Sequence, residues 1–315
     1  MTGLGHFVGL TAPLFLLVLF GYALTTFARW PPAATDALTR FVFTVAMPAL
    51  LFRLMSDFSH EPHVDARLLV AFFGGCLIVY VGARVFARWA FRMSGDAQSI
   101  FALGGIFANN VLLGLPLAKI TLGEAALPSV SLVLVFNSLI LWTLATVSVE
   151  WARHREFSAR GLYRTFLGVI RNPVVASILA GTAFGFTGLT LPGFVDQTMA
   201  QMSLAAIPLS LVSLGMGLAG FGAASEWRVS TALAFVKLIV HPLVVYALAR
   251  MLDLPPTESA AVVMLSALPI GANVYLMSRQ FDVLTGPIAS GIVLTTVLAA
   301  VTTPLVLTLI GASRP

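Results

Sequence analysis

Two similar stretches decide the fold: Asn109-Asn110-Val111-Leu112-Leu113-Gly114-Leu115-Pro116 and Leu268-Pro269-Ile270-Gly271-Ala272-Asn273-Val274-Tyr275. Each combines asparagine, glycine and proline inside a long apolar run. Proline removes a backbone donor and clashes with the carbonyl one turn earlier, so a helix interrupted there must turn its freed backbone groups toward protein or a wet cavity rather than lipid. A single such stretch would indicate a simple kink. A matched pair, with asparagine in both members, indicates two broken helices.

The chain around these stretches has the composition of a polytopic membrane protein. Of its 315 residues, 58% are hydrophobic and 10% are charged, whereas soluble domains are near a quarter charged. The net charge of +5 is scattered at the ends of apolar runs, as in membrane flanks. It does not form a basic face, so we expect a lipid bilayer and not nucleic acid as the partner.

Ten apolar segments can be separated at charges, prolines and glycines, and each crossing needs about 20 residues. They are 8–28, 38–56, 67–91, 99–121, 126–149, 172–188, 196–221, 229–251, 258–280 and 284–311. We therefore expect an all-α protein with ten transmembrane helices. The most basic gap divides it into a first five-helix repeat (1–150), a basic loop (151–171) and a second repeat (172–315).

The distribution of Lys and Arg predicts the orientation. Alternate loops hold 12 and 5 of these residues, and the richer set is expected in the cytoplasm. This places the central loop in the cytoplasm and both termini outside. Because five is an odd number, a second repeat would lie inverted relative to the first. The stretch around Pro48 resembles that around Pro208, which supports a repeat.

The stretches 109–116, 170–173, 267–278 and 285–291 resemble, in order and spacing, those of the auxin efflux carrier family, which contains plant auxin exporters and bacterial malonate and malate permeases. The resemblance covers nearly the whole chain. It implies two inverted five-helix repeats whose broken fourth and ninth helices cross at their prolines, as in bile-acid symporters and sodium/proton antiporters, and it implies alternating access. The short central loop favours a bacterial-type permease.

A substrate-binding site is expected where the broken helices cross. Its candidate residues are Asn109, Asn110, Gly114, Pro116, Pro269, Gly271, Asn273 and Tyr275. The resemblance places the crossing at Pro116 and Pro269 and assigns Asn109 to the substrate. Asparagine supplies donors and an acceptor without a buried charge, and the N-termini of two half-helices favour an anion.

Five further residues are expected to support the site or to couple it to an ion: Pro48, Asn137, Pro208, Lys237 and His241. Lys237 and His241 lie four apart on one helix face. They either bind a carboxylate or relay protons, or Lys237 snorkels and His241 bonds a carbonyl freed by Pro242. Asn137 is either an interhelical hydrogen-bond partner or part of the site. Cys76 is expected to be a small buried hydrophobe.

These features favour a secondary transporter for a small organic anion, a mono- or dicarboxylate such as malonate or malate or an auxin-like acid, in the cytoplasmic (inner) membrane. A membrane ligand sensor or a channel on the same fold is the alternative. An enzyme is not expected, because the spans hold no HExxH or GxSxG motif and no paired aspartates. We expect no cofactor and no metal, and we interpret His60 and His63 as solvated loop residues. The substrate, the coupling ion, the direction and a homodimer stay open.

Overall fold

The first half of the chain folds into helices interrupted at specific points. A computed structural model of the protein describes residues 4–56, 65–154, 171, 173–220 and 227–310. The helices of the first half are α1 (Leu4–Thr26), α2 (Pro32–Phe41), α3 (Met47–Ser56), α4 (Arg67–Phe91), α5 (Gly95–Ile106), α6 (Leu115–Thr121) and α7 (Leu127–His154). His60, His63 and most of the basic loop fall outside the described residues.

The second half follows a similar order of long and interrupted helices. They are α8 (Pro173–Phe186), α9 (Gly193–Ala219), α10 (Trp227–Phe235), α11 (His241–Met251), α12 (Pro256–Ser266), α13 (Ala272–Phe281) and α14 (Thr285–Leu309). Within the described residues the secondary structure is helical, apart from one isolated backbone bridge. Each of the ten predicted apolar segments contains a helix or a pair of helices.

Six helical stretches are long and apolar enough to cross a membrane, judged by length and composition. They are Leu4–Thr26, Pro32–Ser56, Arg67–Phe91, Gly193–Ala219, Trp227–Met251 and Thr285–Leu309. Shorter apolar helices such as Asn110–Thr121 and Pro173–Phe186 accompany them. The protein is therefore an all-helical polytopic membrane protein, as its composition predicts.

Three of the interrupted helices contain a π turn directly before a proline. In an ordinary α-helix, the proline ring would clash with the carbonyl of the residue four positions earlier. In each of these helices, that residue is the middle residue of the π turn. The wider turn moves that carbonyl aside, so the helix continues past the proline. The π turns Val42–Ala46, Asn110–Gly114 and Val236–Val240 precede Pro48, Pro116 and Pro242 respectively.

Helix contacts fall mainly into two groups, which we call the glycine bundle (α1, α2, α3, α8 and α9) and the crossing bundle (α4 to α7 and α10 to α14). In the glycine bundle, α1 packs along α9, and Gly215 leaves no room for a Cβ beside the carbonyl of Val18. Likewise α3 packs along α8, where a Cβ on Gly181 would lie 2.6 Å from the carbonyl oxygen of Phe52. Glycine thus allows two pairs of backbones to approach closely.

The crossing bundle holds the two interrupted segments that correspond to the predicted broken helices. In it, α4 packs against α5 and α11, and α10 packs against α14. The Arg84 guanidinium on α4 donates to the Ser148 hydroxyl of α7 at 2.9 Å. The two interruptions lie side by side in this bundle, next to the glycine bundle.

Candidate functional site

Two helices of the crossing bundle are broken by short extended segments. The first break spans residues 107–109, between α5 and the helical segment Asn110–Thr121, and the second spans 267–271, between α12 and α13. Ala108 and Ile270 pair across the breaks as an antiparallel bridge. The two interruptions that the sequence predicts therefore meet each other directly.

Backbone hydrogen bonds hold the breaks together. The N–H of Asn109 donates to the carbonyl of Pro269 at 2.9 Å, and the N–H of Gly271 donates to the carbonyl of Phe107 at 2.9 Å. Each break thus satisfies groups that the other leaves without a helical partner, as burial in a membrane protein requires.

Thr295 and Gly271 also contribute to the packing of the two breaks, the first by a hydrogen bond and the second by having no side chain. The Thr295 hydroxyl on α14 accepts the N–H of Ile270 at 3.2 Å. A Cβ on Gly271 would lie 2.9 Å from the carbonyl oxygen of Ala108, which is closer than a real Cβ approaches such an atom. Glycine is therefore needed where the two backbones cross.

The crossing lies at Ala108 and Ile270, so the expectation that both helices cross at prolines is wrong for Pro116. Asn109 has φ −79° and ψ 63°, the conformation of the central residue of an inverse γ-turn. The N–H of Asn110 donates to the Ala108 carbonyl at 2.9 Å and completes this turn. This turn makes the break. Pro116 comes later, inside the helical segment Asn110–Thr121, where the preceding π turn makes room for the proline ring.

A cavity of about 390 Å³ lies at the crossing. Both bundles line it: the glycine bundle through α2, α8 and α9, and the crossing bundle through the two breaks, α7 and α14. The predicted site residues that line it are Asn109, Asn110, Gly271, Asn273 and Tyr275, together with Asn137 from the supporting set.

Three asparagines form the polar part of the cavity wall. The exposed fractions of Asn109, Asn110 and Asn137 are 6%, 2% and 4%. The Asn110 Nδ2 donates to the Asn137 Oδ1 at 3.3 Å, so Asn137 is an interhelical partner and lines the cavity as well. Among the described residues, Nδ2 of Asn109 and Oδ1 of Asn110 are buried without a hydrogen-bond partner. Unpaired buried polar atoms cost about 1–3 kcal/mol, so a polar group that entered the cavity would be stabilised by pairing with them.

Two helical segments begin at the cavity. Gly271, Ala272 and Asn273, at the start of α13, line it, as do Asn110 and Val111 at the start of the segment Asn110–Thr121. Each helix N-terminus carries roughly half a positive charge and free N–H groups. Because both starts border the same cavity, its polar end suits an anion.

The remaining predicted residues lie away from the cavity wall. Gly114 packs on the second break, where its Cβ would lie 2.7 Å from Cδ1 of Leu268. Four predicted prolines are absent from the cavity wall: Pro48, Pro116, Pro208 and Pro269. Pro208 lies inside α9 without a π turn. The carbonyl of Leu112, four residues before Pro116, lies 3.1 Å from the Ser210 hydroxyl of α9. That hydroxyl also lies 2.8 Å from the Ile207 carbonyl of its own helix, so its one hydrogen is divided between the two carbonyls.

Lys237 and His241 form a buried cluster behind the crossing. Lys237 is 0% exposed, and its Nζ lies 2.6 Å from the Ser266 carbonyl oxygen and 3.0 Å from Nδ1 of His241. His241 Nε2 lies 3.4 Å from the Sγ of Cys76, which is buried as predicted. Lys237 therefore does not snorkel, and His241 contacts the Lys237 and Cys76 side chains and also the backbone of Ser266. Because Ser266 ends α12, the cluster is attached to the second break.

Several residues of the site are missing from the predicted set. Thr295 and Ser210 act through hydroxyl groups, which apolar spans contain in many places, so a single sequence offers no signal for them. Asp36 and Thr39 of α2 line the cavity, and the Thr39 hydroxyl lies 2.7 Å from that of Ser213. The Pro31-Pro32 pair before Asp36 marks a helix start, but that pattern does not reveal which cavity the helix borders.

The broken, crossing helices and their polar cavity define a polytopic membrane transport protein. Residues 6–307 match the family described as "Membrane transport protein". The chain belongs to this family, the auxin efflux carrier family that the motifs predict.

Relatives match along nearly the full length of the chain. It is 27% identical over 309 residues to a "Putative malonate transporter" of Rhizobium meliloti, covering 95% of this chain and 94% of that protein. It is 19% identical over 350 residues to auxin efflux carrier component 8 of Arabidopsis thaliana, covering 95% of each. It is also 23% identical over 312 residues to the lysosomal cholesterol signaling protein of mouse, covering 91% of this chain and 35% of that protein.

Proposed function

We propose that this protein is a secondary transporter that moves a small organic anion across the cytoplasmic membrane. The anion is a mono- or dicarboxylate such as malonate or malate, or an auxin-like acid. The observation that carries this proposal is the cavity at the crossing, where buried asparagine atoms lack partners and two helical segments begin. The printed name of the Rhizobium meliloti relative supports malonate as the first acid to test.

The proposed architecture has ten transmembrane spans in two inverted repeats, 1–150 and 172–315, around the cytoplasmic loop 151–171. In such a repeat, α1 corresponds to α8, and α3 corresponds to α9. The contact of α1 with α9 should then have a counterpart between α8 and α3, and both contacts are present. Both also depend on glycine. Each half contains one broken helix, which further supports the repeat. Cysteine-accessibility labelling from the two sides of the membrane tests the orientation, in which both termini lie outside.

The proposed mechanism is alternating access, in which the crossing bundle moves against the glycine bundle. The cavity lies between them, since α2 and α9 line one side and the two breaks line the other. A relative movement therefore changes the side of the membrane to which a bound anion is exposed. Lys237 and His241 are proposed to support the site through the Ser266 carbonyl, and Pro48 and Pro208 to shape the helices that face the breaks.

The test is counterflow in proteoliposomes loaded with an unlabelled acid. We expect external labelled malonate, malate or indole-acetate to accumulate inside, and Asn109→Ala to reduce that accumulation. Liposomes without protein are the control for leakage. The absence of flux with every carboxylate, in correctly inserted protein, would contradict the substrate class.

A ligand sensor is the second candidate, because the name of the mouse relative describes signaling. A sensor would show a ligand-dependent rise in melting temperature without counterflow, since a ligand that binds the native state stabilises it. A channel would instead produce single-channel current steps in a planar bilayer.

A further inference from the structure

Among the described residues that line it, the cavity at the crossing has one negative side chain and no positive one. Asp36 lines it from α2, and the lining side chains of the described residues include no Lys, Arg or His. Arg40, one turn after Asp36, borders a separate surface pocket that Asp36 shares. The ion pairs within the described part of the chain do not join the two residues.

The attraction for an anion therefore comes from the backbone and from neutral amides. Two helix N-termini supply roughly half a positive charge each, and Nδ2 of Asn109 is a buried donor without a partner among the described residues. Together these groups balance about one negative charge. A second negative charge on the ligand would meet no cation among the described residues of the cavity wall, and it would share the cavity with the carboxylate of Asp36.

We propose that Asp36 makes this site selective for monoanions, namely monocarboxylates or dicarboxylates that carry one proton. This inference rests on the proposed transport of carboxylates. Like charges disfavour each other at short range. Asp36 is exposed, so solvent screens but does not remove its repulsion of a second carboxylate in the cavity of about 390 Å³ that it lines. Asp36 is thus a specificity-determining residue that acts against the second carboxylate of a dianion.

A pH dependence of the substrate follows from this selectivity. Malonate uptake rises as the pH falls through the second ionisation of the acid, because the transported monoanion becomes more abundant. The monomethyl ester of malonate has one carboxylate, so its uptake does not follow that ionisation. The titratable side chains that line the cavity from the described elements are Asp36 of α2 and Tyr275 of α13.

The experiment compares uptake of malonate with that of its monomethyl ester in proteoliposomes, near the second ionisation of malonate and well above it. At the higher pH we expect wild type to favour the ester. Asp36→Asn should raise the malonate-to-ester ratio by about three- to fivefold, the effect expected of an exposed charge. Asp36→Glu, which keeps the charge, should keep the wild-type ratio. Asp253→Asn, an acidic residue outside the cavity wall, is the matched control.

The two proposals fail in distinguishable ways. If both compounds are transported equally well at the higher pH, or if Asp36→Asn leaves the ratio unchanged, the monoanion selectivity is wrong while carboxylate transport stands. If folded, correctly inserted protein transports neither compound, both proposals are wrong.

Discussion

Asn109 has two separate roles at the crossing, one through its backbone and one through its side chain. Its backbone forms the turn that breaks the helix and bonds to Pro269, whereas its side-chain Nδ2 has no partner in the described protein. A substitution that shortens the side chain therefore removes the second role and leaves the first.

We expect Asn109→Ala to lower the kcat/KM of carboxylate uptake by about 10- to 100-fold, because a hydrogen bond to a charged group contributes about 1.5–3 kcal/mol. The melting temperature should not fall, since the lost amide atom is unpaired in the folded protein. Counterflow and thermal unfolding in detergent provide the two measurements. A lower melting temperature with unchanged uptake would assign Asn109 to folding alone.

Gly271 tests how closely the two breaks must approach. Gly271→Ala places a Cβ 2.9 Å from the Ala108 carbonyl oxygen, so the breaks must separate. Overpacking of this kind typically costs about 1–3 kcal/mol, and we expect both the melting temperature and uptake to fall. The control is Gly82→Ala on α4, where no atom lies within 4 Å. If Gly271→Ala behaves like that control, the backbones do not need glycine to cross.

At the scale of an element, each π turn adapts a helix to the proline that follows it. The one before Pro116 contacts a neighbouring helix, because the Ser210 hydroxyl of α9 lies within hydrogen-bond distance of the Leu112 carbonyl as well as of the Ile207 carbonyl. A side chain of the neighbouring helix is thus placed to bond the carbonyl that lacks a donor because of Pro116.

This contact predicts a non-additive double mutant. Ser210→Ala alone should destabilise the protein by about 1–3 kcal/mol, because it leaves a buried carbonyl unpaired. In a Pro116→Ala background the same change should cost less, since position 116 then supplies an N–H to Leu112. The control is Ser203→Ala, whose hydroxyl bonds within its own helix to Met199 and whose cost should be equal in both backgrounds. Equal costs for Ser210→Ala in the two backgrounds would refute the link.

The sequence predicts that two helices break but only partly predicts where. Glycine and proline identify the second break correctly, because they lie inside it. The first break depends on the backbone angles of Asn109, and asparagine also occurs in ordinary helices, so Pro116 gives the stronger but misleading signal. Burial of Lys237 likewise depends on the Ser266 carbonyl, which the end of a distant helix makes available. Such partners depend on tertiary packing and have no local pattern.

At the scale of the whole molecule, the proposed alternating access requires the two bundles to move relative to each other. Phe15 of α1 and Val297 of α14 line one apolar cavity of about 580 Å³ between the bundles. Arg53 of α3 and Asp196 of α9, in contrast, form an ion pair with a 2.8 Å separation inside the glycine bundle.

We expect a flexible bifunctional thiol reagent to stop uptake when cysteines replace Phe15 and Val297, because it joins the two bundles. The same reagent should leave uptake largely intact when cysteines replace Arg53 and Asp196, since these positions belong to one bundle. Uptake before and after cross-linking is the measurement. Full activity of the cross-linked Phe15/Val297 variant would exclude movement between these bundles.

The crossing of the two breaks also bears on how the family diversifies. The bonds that hold it join main-chain atoms at Phe107, Asn109, Pro269 and Gly271, and such bonds form whatever most of the surrounding side chains are. Lining positions such as Asp36 and Tyr275 can therefore change during evolution while the crossing keeps its geometry. Exchange of a few wall residues is then expected to change which ligand the cavity accepts, while the scaffold that presents it stays intact.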